Sequence, residues 1–124
     1  EIPGSLVGSE MCIRDRECVK SNDPTLVTEL YDEHAILLGT FSDIERQGPK
    51  LIYDYFNGLL SSKVDVEIIS EHSHSFDNLE VCSGLYNFIV NGDTIEARYS
   101  FVFIQVNDDW KILSHHSSVL PKSS

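Results

Sequence analysis

LEVCSGLYNFIVNGDTIEARYSFVFIQVNDDWKILSHHSSVLP, residues 79–121, is the stretch that decides the fold. Leu79–Val90 and Thr94–Val106 are two long runs of β-branched and aromatic residues joined by Asn91-Gly92, the strongest short hairpin signal. A two-residue turn there sets Val90 opposite Asp93, Leu85 opposite Arg98, Ser83 opposite Ser100 and Asn87 opposite Glu96. One face of this hairpin then carries Val81, Arg98, Ser100 and Val102, and the other Tyr86, Phe88, Tyr99, Phe101 and Phe103. Asn107-Asp108-Asp109 turns the chain again into a last strand, Trp110–Val119, which ends before Pro121. With a three-residue turn His116 joins the Arg98 face; with a two-residue turn His115 does. The sequence leaves both open.

Upstream the period is helical. Asp23-Pro24 is a helix start, with Asp23 as N-cap and Pro24 where a missing N–H costs nothing; Leu26, Val27, Leu30 and Tyr31 form its apolar stripe. Ala35–Leu38 is a short buried strand. Gly48-Pro49 opens a second helix with Leu51, Ile52, Tyr55, Phe56 and Leu59 on one face. After Gly58 the period changes to two: Val64, Val66 and Ile68 alternate with acids in a strand expected to continue through His72-Ser73-His74. Helices followed by an antiparallel meander predict an α+β domain with helices on one face of the sheet. Because both hairpin faces are largely apolar, a second copy of the chain is the expected cover for the other face.

The chain has 124 residues, 41% of them hydrophobic, enough for one domain with its own core. The single domain is placed at 17–121, with 122–124 as a tail. GSLVGSEMCIRDR, residues 4–16, resembles translated sequencing-adapter read-through, so 1–16 is read as a non-native leader. Nine Lys and Arg against twenty Asp and Glu leave a formal charge of −11, which excludes nucleic acid and anionic membrane surfaces as partners through long-range repulsion. Three cysteines, Cys12, Cys18 and Cys82, form no C-x-x-C pair, so no disulfide framework or zinc knuckle is expected, and a cytoplasmic location is the default. No metal site and no cofactor are expected: His72 and His74 share a strand face but read as exposed residues of an edge strand, Cys82 as packing and Trp110 as core.

EARYSFVFIQVNDDWKILSHHSSVLP (96–121), together with the Gly48, Ile52, Tyr55, Phe56 helix, resembles the association-domain family of calcium/calmodulin-dependent protein kinase II. It also resembles the SgcJ- and SnoaL-like stand-alone proteins; both groups belong to the nuclear transport factor 2-like superfamily, whose fold is also called cystatin-like. The resemblance covers about 17–121. It implies a cone, with N-terminal helices packed on a strongly curved, mainly antiparallel sheet around an internal pocket, and homodimers or larger rings built through the sheet. It also implies a pocket for small carboxylates, in which Arg98 matches the pocket arginine and His116 a histidine of the last strand. Asn78–Val90 carries no Lys, Arg or His, and Ser117 stands where some members carry a further arginine. A kinase partner is implied by this resemblance alone, since these residues hold no kinase catalytic motif.

The expected ligand-binding set is therefore Arg98, His116, Tyr55 and Ser100, around a small, anionic or polar organic molecule. A guanidinium on an apolar sheet face needs a partner, and its planar fork suits a carboxylate; Glu96, two residues away on the same face, could instead neutralise it. The alternative is an isomerase, cyclase or dehydratase-type enzyme in which His116 or Glu96 moves a proton beside a carbonyl held by Arg98 or Tyr55.

Overall fold

The computed structural model describes residues 21–121. Asp23 caps the first helix, α1 (Pro24–Thr28), its carboxylate accepting the Thr25 N–H at 2.9 Å. This helix is shorter than the apolar stripe suggested. Val27 is buried, Leu26 is exposed, and Tyr31 already belongs to β1 (Tyr31–Leu38). A two-residue strand, β2 (Arg46–Gln47), precedes α2 (Pro49–Leu59). Gly48 caps α2 at φ 87°, a value that favours glycine, and Pro49 opens the helix where no N–H is required.

The remaining strands are β3 (Val64–Ile68), β4 (His72–Phe76), β5 (Leu79–Val90), β6 (Asp93–Val106) and β7 (Asp109–Val119). They form a curved seven-stranded sheet in the order β2-β1-β7-β6-β5-β3, with β4 also pairing with β5. All pairs are antiparallel except β1 with β7. The architecture is the α+β one expected, with the core between the sheet and α2, where Ile52, Tyr55 and Phe56 are buried.

The first hairpin has the register read from Asn91-Gly92: Leu85 pairs with Arg98, Ser83 with Ser100 and Asn87 with Glu96. Both turn residues have positive φ, 51° and 89°, as a type I′ turn requires. The expected continuous strand through His72 is instead two strands separated by a bulge. The N–H groups of Ile69 and Ser70 both donate to Leu85 O, at 2.9 and 3.1 Å, so two residues oppose one. The Ser70 carbonyl is thereby turned under Gly84, where it accepts the Tyr99 hydroxyl at 2.9 Å.

The second turn combines features of both expectations. It has two residues, Asn107 and Asp108, both at positive φ, and Val106 pairs with Asp109. A bulge between Ile112 and Ser114 then slips the register by one residue. Phe103 pairs with Ile112, but Val102 pairs with Ser114, Phe101 with His115 and Ser100 with His116. His116 thus shares the Arg98 face, as the longer turn would have placed it.

Candidate functional site

That shared face is not the inner one. Ala97, Tyr99, Phe101 and Phe103 point into the core, whereas Glu96, Arg98 and Ser100 are exposed on the outer face with His116. The expectation of a pocket centred on Arg98 and His116 is corrected accordingly. Three large aromatic side chains bury far more apolar area on the inner face than Arg98 and Ser100 could, and the guanidinium keeps its hydration outside. Arg98 Nε donates to Ser118 Oγ at 3.3 Å, and the pairing of Glu96 is with Asn87 across the ladder. Ser100 lies between Ser83 and His116.

Against the inner face lies a small cavity lined by residues that include Tyr55, Phe56, Tyr86, Phe88, His115 and Ser117. It leaves about 20 Å³ for the centre of a water molecule, room for a water and not for an organic ligand. Of the expected site residues only Tyr55 reaches it. The Tyr55 ring lies against Gly39, where a Cβ would come within 2.5 Å of it, and its hydroxyl accepts the Phe41 N–H at 3.4 Å. Burial pushes the Tyr55 phenol up from its ordinary value, against smaller opposing effects of that hydrogen bond and of Arg46.

His115, which the sequence left as the alternative, is the imidazole of this cavity. Its Nδ1 lies 2.7 Å from the Tyr31 hydroxyl and its Nε2 3.3 Å from the Tyr86 hydroxyl. Tyr86 in turn donates to Ser117 Oγ, and Ser117 shares a 2.5 Å hydrogen bond with Thr40 Oγ1. Because the Tyr86 proton goes to Ser117, its oxygen accepts from His115, which fixes the imidazole as the Nε2–H tautomer with Nδ1 accepting from Tyr31. The hydrogen-bonded chain then runs from Tyr31 through His115, Tyr86 and Ser117 to Thr40. Burial, and secondarily the neighbouring His116, lower the His115 pKa to about 3, so at neutral pH it is uncharged with both nitrogens occupied.

Thr40 stands at the wall of a second, open cavity of about 290 Å³ between the loop 39–45 and the end of β7. This space exists because β1 stops at Leu38, opposite His116, while β7 continues to Val119 with β6 on its other side. Thr40, Ser42, Asp43, Glu45, His116 and Ser118 supply its polar lining. Gly39 and Ser117 border both cavities. Of the expected residues, His116 reaches this one; Arg98 and Ser100 line neither.

Two further observations bear on chemistry. Glu80 is fully buried on the inner face; one oxygen accepts from Ser75 Oγ at 2.5 Å, while Oε1, like the buried Ser73 Oγ, has no hydrogen-bond partner. The strand pattern alone marked neither Glu80 nor the loop acids as special; the one signal was a Glu at an inward position of β5. Among the described residues no three His, Cys, Asp or Glu side chains gather as a metal site, and His72 and His74 are exposed on β4. No helix among them is long and apolar enough to cross a membrane.

Residues 11–121 match the family described as the calcium/calmodulin dependent protein kinase II association domain. The chain is also similar to a solved protein from Xanthomonas campestris described as such a domain, at 28% identity and TM-score 0.88, covering 93% of this chain and 86% of that one. A nuclear transport factor 2-like superfamily protein from Salmonella enterica serovar Typhimurium is similar at 21% identity, TM-score 0.82, covering 98% and 96%. One from Parabacteroides distasonis, described as a ketosteroid isomerase, is similar at 20% identity, TM-score 0.79, covering 92% and 88%. At those two identities the likeness is one of fold. Comparison with curated proteins finds no match.

Proposed function

The chain belongs to the calcium/calmodulin-dependent protein kinase II association domain family, and from that premise we propose that it is a self-association module whose copies meet through the outer face of the sheet. The observation that carries this reading is the apolar content of that face. Leu38, Phe76 and Leu85 are 39%, 62% and 37% exposed, and Val81, Val102 and Ile104 stay only half-buried beside them. The helices cover the opposite face, and a sheet apolar on both sides gains by covering the second.

Light scattering on the purified protein tests this. The expected particle is at least twice the 14.0 kDa chain mass at micromolar concentration, and a Leu85→Asp/Val102→Asp variant is expected to run as a monomer that still unfolds cooperatively. A monomeric parent protein overturns the reading.

The enzymatic alternative has less support from the geometry. His116 and Glu96 lie outside the small inner cavity, and both ring nitrogens of His115 are hydrogen-bonded to tyrosine hydroxyls. The small carboxylate implied by resemblance would meet no Lys or Arg among the described residues of either cavity lining.

A further inference from the structure

We propose that acid separates the copies: protonation of His72 and His116, which stand at the two ends of a polar row across the outer face of the sheet, weakens self-association between about pH 7.5 and about pH 5.5. This rests on the self-association reading and adds a regulatory device to it.

The row follows from the ladder. His72 of β4 pairs with Ser83, Ser83 with Ser100 and Ser100 with His116, so two imidazoles and two hydroxyls cross four strands in one line. His72, Ser100 and His116 are exposed, and the row is flanked by Leu85 on one side and by Val81 and Val102 on the other. Covering this face takes water from the row, and each of its polar groups then needs a partner. In an isologous pair meeting face to face, the two-fold axis lies in the plane between the sheets. With the axis along the row, His72 meets the partner's His72 and His116 meets the partner's His116. With the axis across the row, His72 meets the partner's His116 and Ser83 the partner's Ser100. Both arrangements bring imidazole to imidazole. Such a pair shares a hydrogen bond while one ring is uncharged, whereas two protonated rings offer only donors and repel.

Few charged groups face these rings among the described residues. Against His72, β5 sets Ser83 with Val81 and Leu85 on the diagonals, and Arg98 of β6 lies beyond Leu85. On β4 itself His74 shares the face, and Glu71 precedes His72 in the chain. His116 has Arg98 diagonal to it on β6 with Glu96 one row further, Leu38 beside it on β1, and Asp43 and Glu45 lining the same open cavity. Lys111, two rows away, donates its ammonium to Glu29 O at 2.7 Å. His115, next in the chain but on the inner face, stays uncharged in this range. The overall charge acts with the opposite sign. At −11, acid reduces the repulsion between copies, so weaker association on acidification is the mark of the imidazoles.

Sedimentation equilibrium at fixed ionic strength, at about pH 7.5 and about pH 5.5, tests this, with circular dichroism followed at both values. The dissociation constant is expected to rise at least about tenfold at the lower pH, with the folded spectrum unchanged. In a His72→Gln/His116→Gln variant, association at the higher pH is expected to persist, because an amide donates and accepts as a neutral imidazole does. The rise on acidification is expected to fall below about threefold in that variant. The proposal is overturned by a parent dissociation constant that is unchanged or lower in acid, by an undiminished rise in the variant, or by a variant that is monomeric at the higher pH. Loss of the folded spectrum at the lower pH, which would separate the copies by unfolding, overturns it equally. A parent that is monomeric at both values overturns the self-association reading, and this proposal with it.

Discussion

The Tyr31 hydroxyl meets Nδ1 of His115, 84 residues later, at 2.7 Å, and this bond ties the start of β1 to the middle of β7 across the parallel pair. Together with Tyr86 on the other nitrogen it holds a neutral imidazole in the core.

That arrangement makes stability depend on acid. The folded His115 pKa, about 3, lies below the ordinary 6.5, so between these values the unfolded chain binds the extra proton. The contribution is fully present above the ordinary value and is lost as pH falls toward 3, at a slope of at most about 1.4 kcal/mol per pH unit from this group. Urea unfolding at a series of pH values should show the decline, and His115→Gln should flatten it. An unchanged slope in the variant would place the acid sensitivity elsewhere.

Gly84→Ala should be severely destabilising. A Cβ there would lie 2.1 Å from Ser70 O and 2.7 Å from its carbonyl carbon, and both are backbone atoms of the β3–β4 bulge. To make room, the bulge must give up the two N–H bonds to Leu85 O. We expect a loss of about 2–3 kcal/mol, measured as the free energy of urea unfolding. A loss under about 0.5 kcal/mol would contradict this account of the crossing.

Glu80→Gln should raise stability by about 1 kcal/mol. The amide keeps an acceptor for Ser75 and brings a donor toward Ser73, which the register sets diagonal to it on the same face; both groups now hold unmet atoms. Thermal unfolding of the two proteins decides the point, and a lower midpoint for the amide would show that Glu80 is stabilised by a partner beyond Ser75.

The sequence and the structure agree wherever a turn dictates the geometry. Asn91-Gly92 reveals its own φ values, so the pairing of Leu85 with Arg98 followed at once. Which side of that hairpin faces inward was not decided by periodicity, because Val102 and Ile104 make the Arg98 face half apolar. The resemblance to association domains suggested the arginine side; the greater area of Tyr99, Phe101 and Phe103 decides for the other. The open cavity was illegible for a different reason. It comes from β1 ending before β7 does, a length mismatch between strands distant in sequence, and no pattern in the sequence singles out Asp43 or Glu45. The leader assignment for 1–16 lies outside the described residues.

The extra residue in the bulge after Ile112 reaches well beyond its own position. If β7 ran on from Ile112 without the bulge, Leu113 would stand opposite Val102 and His116 opposite Tyr99, presenting His116 to the tyrosines and expelling His115 into water. A one-residue slip of this ladder therefore trades a sequestered heterocycle for a hydrated one, with every side chain of the pair retained.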